Sequence, residues 1–196
     1  MVGTFPMKRT LLTLLLGLAL LQLAALAVDP AAGGDIAGFN GRWRMDTARS
    51  TALDGWTAAD VVITTERGRI TFRYDMTWHA TKVTATNVVT AANVIDTPQS
   101  SGVTNFFRID QRHMAVYARP GEVTAVTATW LDSGRTLRVE AQVPVEISQG
   151  NTTLRLYQEY RLLEGGNELV LIELHSTRDR PLVYHFTKVP AEAATK

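Results

Sequence analysis

The sequence has no cysteine among its 196 residues. A disulfide framework and a cysteine nucleophile are therefore excluded. The fold must depend on its hydrophobic core, and a chain of this length can bury such a core within one domain.

An excess of charge of one sign is also lacking. Lysine and arginine together number 20 and aspartate and glutamate 19, so the formal net charge is +1. This near balance argues against nucleic acid as a partner, because nucleic-acid-binding domains carry a basic patch or stripe.

Catalytic signatures are absent from the sequence. It contains neither a Gly-x-Ser-x-Gly motif nor a glycine-rich phosphate loop. Asp46 with Ser50, and Asp132 with Ser133, fall in segments where aspartate and serine commonly cap turns. The sequence therefore leaves enzymatic activity uncertain and favours a protein without it; we expect no cofactor and no metal, and we assign no catalytic residue.

The N-terminus has the pattern of a secretory signal peptide. Lys8 and Arg9 precede an apolar run at Leu11–Leu23, and the small residues of Ala25–Ala27 fit a cleavage site. The apolar run is too short to span a bilayer comfortably. Cleavage after residue 27 removes two cations and no acid, which changes the net charge from +1 to −1. With no cysteine at that site, lipid anchoring there is excluded.

These patterns divide the chain into four parts. We predict a signal peptide at residues 1–27, a flexible linker at 28–37, a folded domain at 38–190 and a disordered tail at 191–196. The protein is then periplasmic or secreted, without a membrane span after cleavage.

The C-terminal half shows the clearest period of two. Apolar residues alternate with charged or polar ones over 137–143 and again over 154–162, as in strands with one face in water. Two further apolar segments, 169–175 and 182–189, are separated by a turn-rich break. Short connections between sequential strands predict an antiparallel meander.

The most aromatic face of the sequence lies in a predicted hairpin. The hairpin joins residues 61–66 to residues 70–78 across Arg67-Gly68, and alternate residues of its second strand share one face: Ile70, Phe72, Tyr74, Met76 and Trp78. Strand signals along the whole chain predict about ten strands. An all-β, up-and-down antiparallel barrel would cover the apolar faces and remove free edges.

Residues 41–50 resemble the opening of a known family. Gly41-Arg42-Trp43-Arg44-Met45-Asp46-Thr47-Ala48-Arg49-Ser50 is similar to the Gly-x-Trp-x-Leu-Asp-x-x-Lys-Ser opening of exported bacterial lipocalin-like proteins, with Met45 and Arg49 as conservative departures. The segment 130–139, Tyr160-Arg161-Leu162 and the final strand into Val189-Pro190 resemble the ending of that family. The long segment 87–102 departs from it.

The resemblance implies a lipocalin-like barrel and a structural role for one tryptophan. Trp43 would plug one end of the barrel, and a cation from the last strand or its turn would pack over the indole. Lys188 is the expected cation, with Arg178 and Arg180 as alternatives. Such a contact contributes about 1 kcal/mol when partly covered. The likeness carries ligand binding only through the fold.

A barrel of this size has room for one small ligand. We expect the lining of such a cavity to be formed by Phe72, Tyr74, Met76, Trp78, Trp130 and Tyr160. The alternative is that the same side chains simply fill the barrel. Arg108, flanked by Phe107 and Ile109, would bind a ligand carboxylate if it points inward.

The four histidines give weaker indications. Glu173, His175 and His185 could approach one metal ion across the last hairpin, yet no histidine pair has zinc-site spacing, and solvent-facing positions are expected instead. His185 within Tyr184-His185-Phe186 would suit an axial haem ligand.

Three functions remain open at this point. The leading hypothesis is a barrel that binds a small hydrophobic or amphipathic molecule in its interior. The second is a filled barrel acting as an interaction or structural module of the cell envelope. The third is a haem protein or an enzyme that uses His185.

Overall fold

The structure of the protein is a computed structural model, which describes residues 35–51, 56–92, 95–110 and 116–190. The predicted signal peptide, residues 28–34 of the predicted linker, the predicted tail and His113 lie outside the described residues. Among the described residues, no helix has the length and apolar character needed to cross a membrane.

Most of the described chain forms strands. They are β1 (Gly41–Asp46), β2 (Ala58–Glu66), β3 (Arg69–Trp78), β4 (Thr81–Thr90), β5 (Gln99–Thr104), β6 (Tyr117–Ala118), β7 (Val123–Leu131), β8 (Thr136–Ile147), β9 (Gly150–Leu162), β10 (Glu168–His175) and β11 (Leu182–Val189). Two short 3-10 helices cover Asp35–Phe39 and Asp132–Gly134.

The strands form one antiparallel sheet in the order β4-β3-β2-β1-β11-β10-β9-β8-β7-β5, with β6 paired to β8. The first and last strands in sequence are joined by the pairing of Met45 with Phe186. At the seam between the two ends of the sheet, the Thr90 amide donates to the Ser101 hydroxyl at 3.4 Å. The protein is therefore an all-β, nearly closed antiparallel barrel, as the sequence predicts.

The period of two in the sequence places one face of each strand inside. In β3, Ile70, Phe72, Tyr74 and Met76 are buried, whereas Arg73 faces solvent. In β8 and β9 the same alternation buries Leu137 to Val145 and Leu154 to Leu162 at every second position. The inward side chains meet as one hydrophobic core.

One end of the barrel is closed by Trp43 and the first 3-10 helix. The Trp43 indole Nε1 donates to the Phe39 carbonyl at 2.8 Å, and the Phe39 ring lies edge-on to Trp130 at 5.1 Å. Lys188 Nζ lies 4.9 Å from the Trp43 ring centroid and donates to the Gly38 carbonyl at 2.8 Å. We call this end the closed end and the opposite one, where β10 ends and β11 begins, the mouth.

The middle of the chain is less regular than the strands on either side of it. Residues 106–109 form an irregular buried segment although they are rich in apolar residues, and the next strand contains only Tyr117 and Ala118. β5 is also short and covers only Gln99–Thr104. Strand propensity alone could not separate a sheet strand from a buried segment that contacts the sheet through side chains.

Candidate functional site

A short segment lies across the mouth of the barrel. Phe106, Phe107, Arg108, Ile109 and Asp110 are consecutive, and all five side chains are buried. We call residues 106–110 the strap. Five adjacent buried residues cannot belong to a strand with one wet face, since alternate side chains of such a strand point to solvent.

The first half of the strap is held by β4. Asn87 Nδ2 donates to the Phe107 carbonyl at 2.9 Å, and the Phe107 amide donates to Asn87 Oδ1 at 2.9 Å. The Phe107 ring packs against Tyr74, with centroids 5.1 Å apart. Asn87 thus satisfies a backbone donor and a backbone acceptor of the strap where water has little access.

The second half of the strap meets the β10–β11 side of the mouth. The Trp56 indole donates to the Ile109 carbonyl at 3.0 Å. Asp110 Oδ2 lies 3.4 Å from His175 Nδ1 and 3.5 Å from Arg178 Nη2. The strap therefore bridges the mouth from Asn87 to the turn that carries Arg178.

A cluster of polar side chains lies beneath the strap. Glu173 is 0% exposed and accepts from Gln158 Nε2, with 2.5 Å between nitrogen and oxygen. Its other oxygen lies 2.5 Å from His175 Nε2. His175 is thus placed between the Glu173 and Asp110 carboxylates, one at each ring nitrogen.

Arg108 is the cation of this cluster and is 2% exposed. Its Nη2 donates to the Val116 carbonyl at 3.1 Å, and its Nη1 lies 4.0 Å from Asp110 Oδ1. Among the described residues, none accepts a hydrogen bond from Arg108 Nε, and none donates one to Asp110 Oδ1. A buried guanidinium normally pairs with a carboxylate through two short bonds, so this cation is incompletely paired.

Burial changes the protonation behaviour of the cluster. Burial lowers the pKa of Arg108, although the Asp110 and Glu173 carboxylates oppose that shift. Burial and the nearby Glu173 carboxylate raise the pKa of Asp110, against the effects of His175, Arg108 and Arg178. The ionised form of Asp110 is therefore less stable in this site than it is in water.

Three buried tyrosines lie near the polar cluster. The hydroxyl oxygens of Tyr74 and Tyr160 are 2.9 Å apart, and Tyr160 stacks on Phe72 at 4.7 Å. Tyr184 is buried on the neighbouring strand β11. Burial raises the pKa of all three phenols, and Glu173 adds to each shift.

Asp110, Glu173 and His175 also form a possible metal-ligand set, with donor atoms within 4.8 Å of one another. Carboxylate and imidazole are suitable ligands for a divalent cation. The Arg178 and Arg108 guanidinium groups, however, lie 3.5 Å and 4.0 Å from the same Asp110 carboxylate. They repel a cation and attract an anion, so we assign no metal to these residues.

The structure brings together part of the predicted lining. Phe72, Tyr74 and Tyr160 are in contact, and Met76 is buried next to Tyr74 on the same face of β3. Trp130 packs with Phe39 near the closed end instead. Trp78 shares the parity of the buried face, but it is the last residue of β3 and is 36% exposed, because it lies at the rim.

The interior is filled where the predicted lining meets. Rings of Phe72, Tyr74, Tyr160 and the strap residue Phe107 are separated by 4.7 to 6.4 Å, which is ring-to-ring contact. A concavity of about 420 Å³ is lined mainly by outward side chains of β5, β7, β8 and β9 such as Thr127, Glu140 and Arg155, and it extends to His175. On the aromatic face, the Phe107 ring occupies the space beside Tyr74 that a ligand would need.

The expectation that Glu173 and His175 face solvent is wrong. Both point inward, since they continue the parity of the buried Leu169 and Leu171 in β10. His185 pairs with Val170 and lies on the outer face, 3.4 Å from Arg49, so it does not join them. The grouping of Glu173, His175 and His185, which the sequence allows but does not favour, is therefore not formed.

Asn87, Asp110 and Gln158 are site residues that were not predicted from the sequence. A signal for Gln158 was present, because it has the parity of Leu154, Leu156 and Tyr160 and so interrupts an apolar face. A polar residue at a buried parity indicates an internal hydrogen-bond network. Asp110 had no comparable signal, since its burial depends on the path of the strap.

The fold and the site define an antiparallel β-barrel with an apolar closed end and a charged, strapped mouth. No protein-family model matches the sequence, and no curated protein matches it. A solved structure described as "REP1-NXSQ fatty acid transporter" aligns with 80% of this chain and 99% of its own, at 10% sequence identity and a TM-score of 0.44. A likeness this weak carries no argument about binding.

Proposed function

We propose that the protein is a lipocalin-like carrier that binds a small amphipathic molecule inside the barrel, with the anionic end of the molecule at Arg108. The single observation behind the proposal is the incomplete pairing of this buried guanidinium. A cation that is 2% exposed and 4.0 Å from the nearest carboxylate of the described residues is costly to keep without an anion.

The surroundings of Arg108 support an amphipathic ligand rather than an inorganic anion. The aromatic face of Phe72, Tyr74 and Tyr160 lies near the charged cluster, since the Glu173 carboxylate contributes to the raised pKa of both Tyr74 and Tyr160. Ligand sites are typically apolar with a few convergent polar groups, and this end of the barrel has that composition. Phe72, Tyr74, Met76 and Tyr160 are the proposed contacts of the apolar part.

The resemblance of residues 41–50 to lipocalin-like proteins agrees with this proposal, as does the position of Trp43 at one end of the barrel. We further propose export through the signal peptide at residues 1–27. The mass of the protein purified from its own host would test this, since cleavage removes that segment.

A second candidate is the filled barrel as a structural or interaction module of the cell envelope. The observation that favours it is the ring contact between Phe107 and Tyr74, which leaves the aromatic face covered. The two candidates differ in one respect: a carrier exchanges Phe107 for a ligand, whereas a structural module does not.

Calorimetric titration with decanoate and with decanol tests the carrier. We expect decanoate to bind more tightly than decanol, and Arg108→Met to weaken decanoate at least tenfold while changing decanol little. Methionine has a similar volume, so the core should tolerate it. Arg155→Met, on the outer face of β9, is the matched control. Failure of both compounds to bind the parent protein would reject the carrier and leave the structural module.

A further inference from the structure

The strap combines an aromatic ring and a carboxylate that are three residues apart in the sequence, Phe107 and Asp110. The Phe107 ring lies 5.1 Å from Tyr74, on the aromatic face proposed for the apolar part of a ligand. The Asp110 carboxylate lies beside Arg108, the cation proposed for the anionic part, and beside Arg178. One short segment of the chain thus places an apolar ring on the apolar part of the site and a carboxylate at its cationic part, as an amphipathic anion would.

The Asp110 carboxylate makes only long contacts with the basic groups around it. His175, Arg178 and Arg108 approach its carboxylate at 3.4, 3.5 and 4.0 Å. Charge-assisted hydrogen bonds of good geometry are about 2.7–2.9 Å long. Oδ1 receives no hydrogen bond from the described residues, and Oδ2 is the oxygen nearest to both His175 and Arg178.

We infer that the Phe107 ring and the Asp110 carboxylate are an internal stand-in for the ligand. The ligand is a monocarboxylate with a compact apolar tail that displaces these two side chains together, while Arg108 keeps its hydrogen bond to the Val116 carbonyl. This inference rests on the proposed carrier function. It adds the chemical class of the ligand's head group and names the segment of the chain that competes with the ligand. A free carboxylate is not tied to a backbone, so it can approach Arg108 with both oxygens, which Asp110 does not do.

The groups around Asp110 favour such an exchange. Arg108 belongs to the strap, His175 and Glu173 to β10, Arg178 to the following turn, and Tyr184 to β11. Glu173 repels the Asp110 anion, and burial raises the pKa of Asp110. An incoming carboxylate replaces this anion one for one, so the buried charge is unchanged while the pairing of Arg108 improves.

The first test is Asp110→Asn. Removing the internal carboxylate should tighten decanoate about tenfold or more, and decanol by a smaller factor. Asp179→Asn, an exposed change of the same charge in the β10–β11 turn, should alter decanoate less than twofold. An Asp110→Asn affinity equal to that of Asp179→Asn would overturn the inference.

The second test needs no variant and decides the matter if Asp110→Asn does not fold. The Phe107 amide is bonded to Asn87 and should exchange slowly with solvent in the free protein. At saturating decanoate it should lose protection, whereas the Val139 amide in β8 should keep it. Ligand binding that leaves Phe107 unchanged or better protected overturns the strap as a competitor. Since decanoate binding is measured in the same samples, that result is distinct from failure of the carrier itself.

Discussion

The hydroxyl oxygens of Tyr74 and Tyr160 lie 2.9 Å apart in the barrel interior, and both side chains are buried. Tyr74→Phe or Tyr160→Phe alone should lower the free energy of unfolding by about 1–3 kcal/mol, because each leaves the other hydroxyl buried without this partner. The double variant should cost less than the sum of the two. Urea unfolding of all four proteins measures the coupling, and additive losses would contradict it.

Alkaline pH should destabilise the protein through its buried tyrosines. Burial raises the pKa of Tyr74, Tyr160 and Tyr184 above 10 in the folded state. Between the unfolded and folded pKa values the unfolded chain has lost protons that the folded chain still binds. Stability is therefore complete below about pH 10 and declines above it, by about 1.4 kcal/mol per pH unit for each tyrosine.

The variant that checks this pH dependence is Tyr184→Phe, which should reduce the slope above pH 10 by the equivalent of one proton. Tyr117→Phe is its control, because Tyr117 is 62% exposed. Urea unfolding between pH 8 and pH 11 gives the slopes. A Tyr184→Phe slope equal to that of the parent protein would show that the Tyr184 phenol has the same pKa in the folded and the unfolded protein.

The sequence predicts the fold better than the site, for reasons visible in particular residues. The alternation in β3 and β8 specifies which side chains are inside, because a strand with one wet face has a period of two. The hairpin turn at Arg67-Gly68 can also be predicted from neighbouring residues, and the resemblance of residues 41–50 implies the position of Trp43. The contact between Asn87 and Phe107 cannot be predicted in this way, since it joins residues 20 apart through a side chain and an irregular backbone.

Part of the polar cluster could be predicted from the sequence. Glu173 and His175 share the parity of Leu171, so the pattern of β10 places them inside even though their chemistry favours water. Charged residues are rarely fully buried unless paired, which made the exposed position the expected one. The pairing partners Gln158 and Asp110 come from other parts of the chain. The sheet register places Gln158 next to Glu173, and the path of the strap places Asp110 next to His175.

Lys188 should contribute to stability through Trp43. Its ammonium group lies 4.9 Å from the indole centroid and donates to the Gly38 carbonyl. Lys188→Met keeps most of the apolar stem and removes the charge, so we expect a loss of about 1–2 kcal/mol in the free energy of unfolding. Lys82→Met, at an exposed position of β4, should change it by less than about 0.5 kcal/mol. Equal effects of the two substitutions would remove the role assigned to the cation.

Asn87 should control the stability of the strap. Its amide satisfies the Phe107 N–H and C=O groups at 2.9 Å each. Asn87→Ala leaves both without this partner inside the barrel, so we expect a loss of about 2 kcal/mol or more in the free energy of unfolding. Asn151→Ala, an exposed substitution in β9, is the control and should have a much smaller effect.

The same Asn87→Ala protein separates local opening from general weakening. If Asn87 anchors the strap, hydrogen exchange at Phe107 should accelerate far more than exchange at Val139, because only the strap loses its bonds. Decanoate should then bind more tightly, since less free energy is needed to displace Phe107. Equal acceleration at both amides would mean that Asn87 supports the barrel as a whole, and weaker decanoate binding would mean that the strap helps to form the site instead of occupying it.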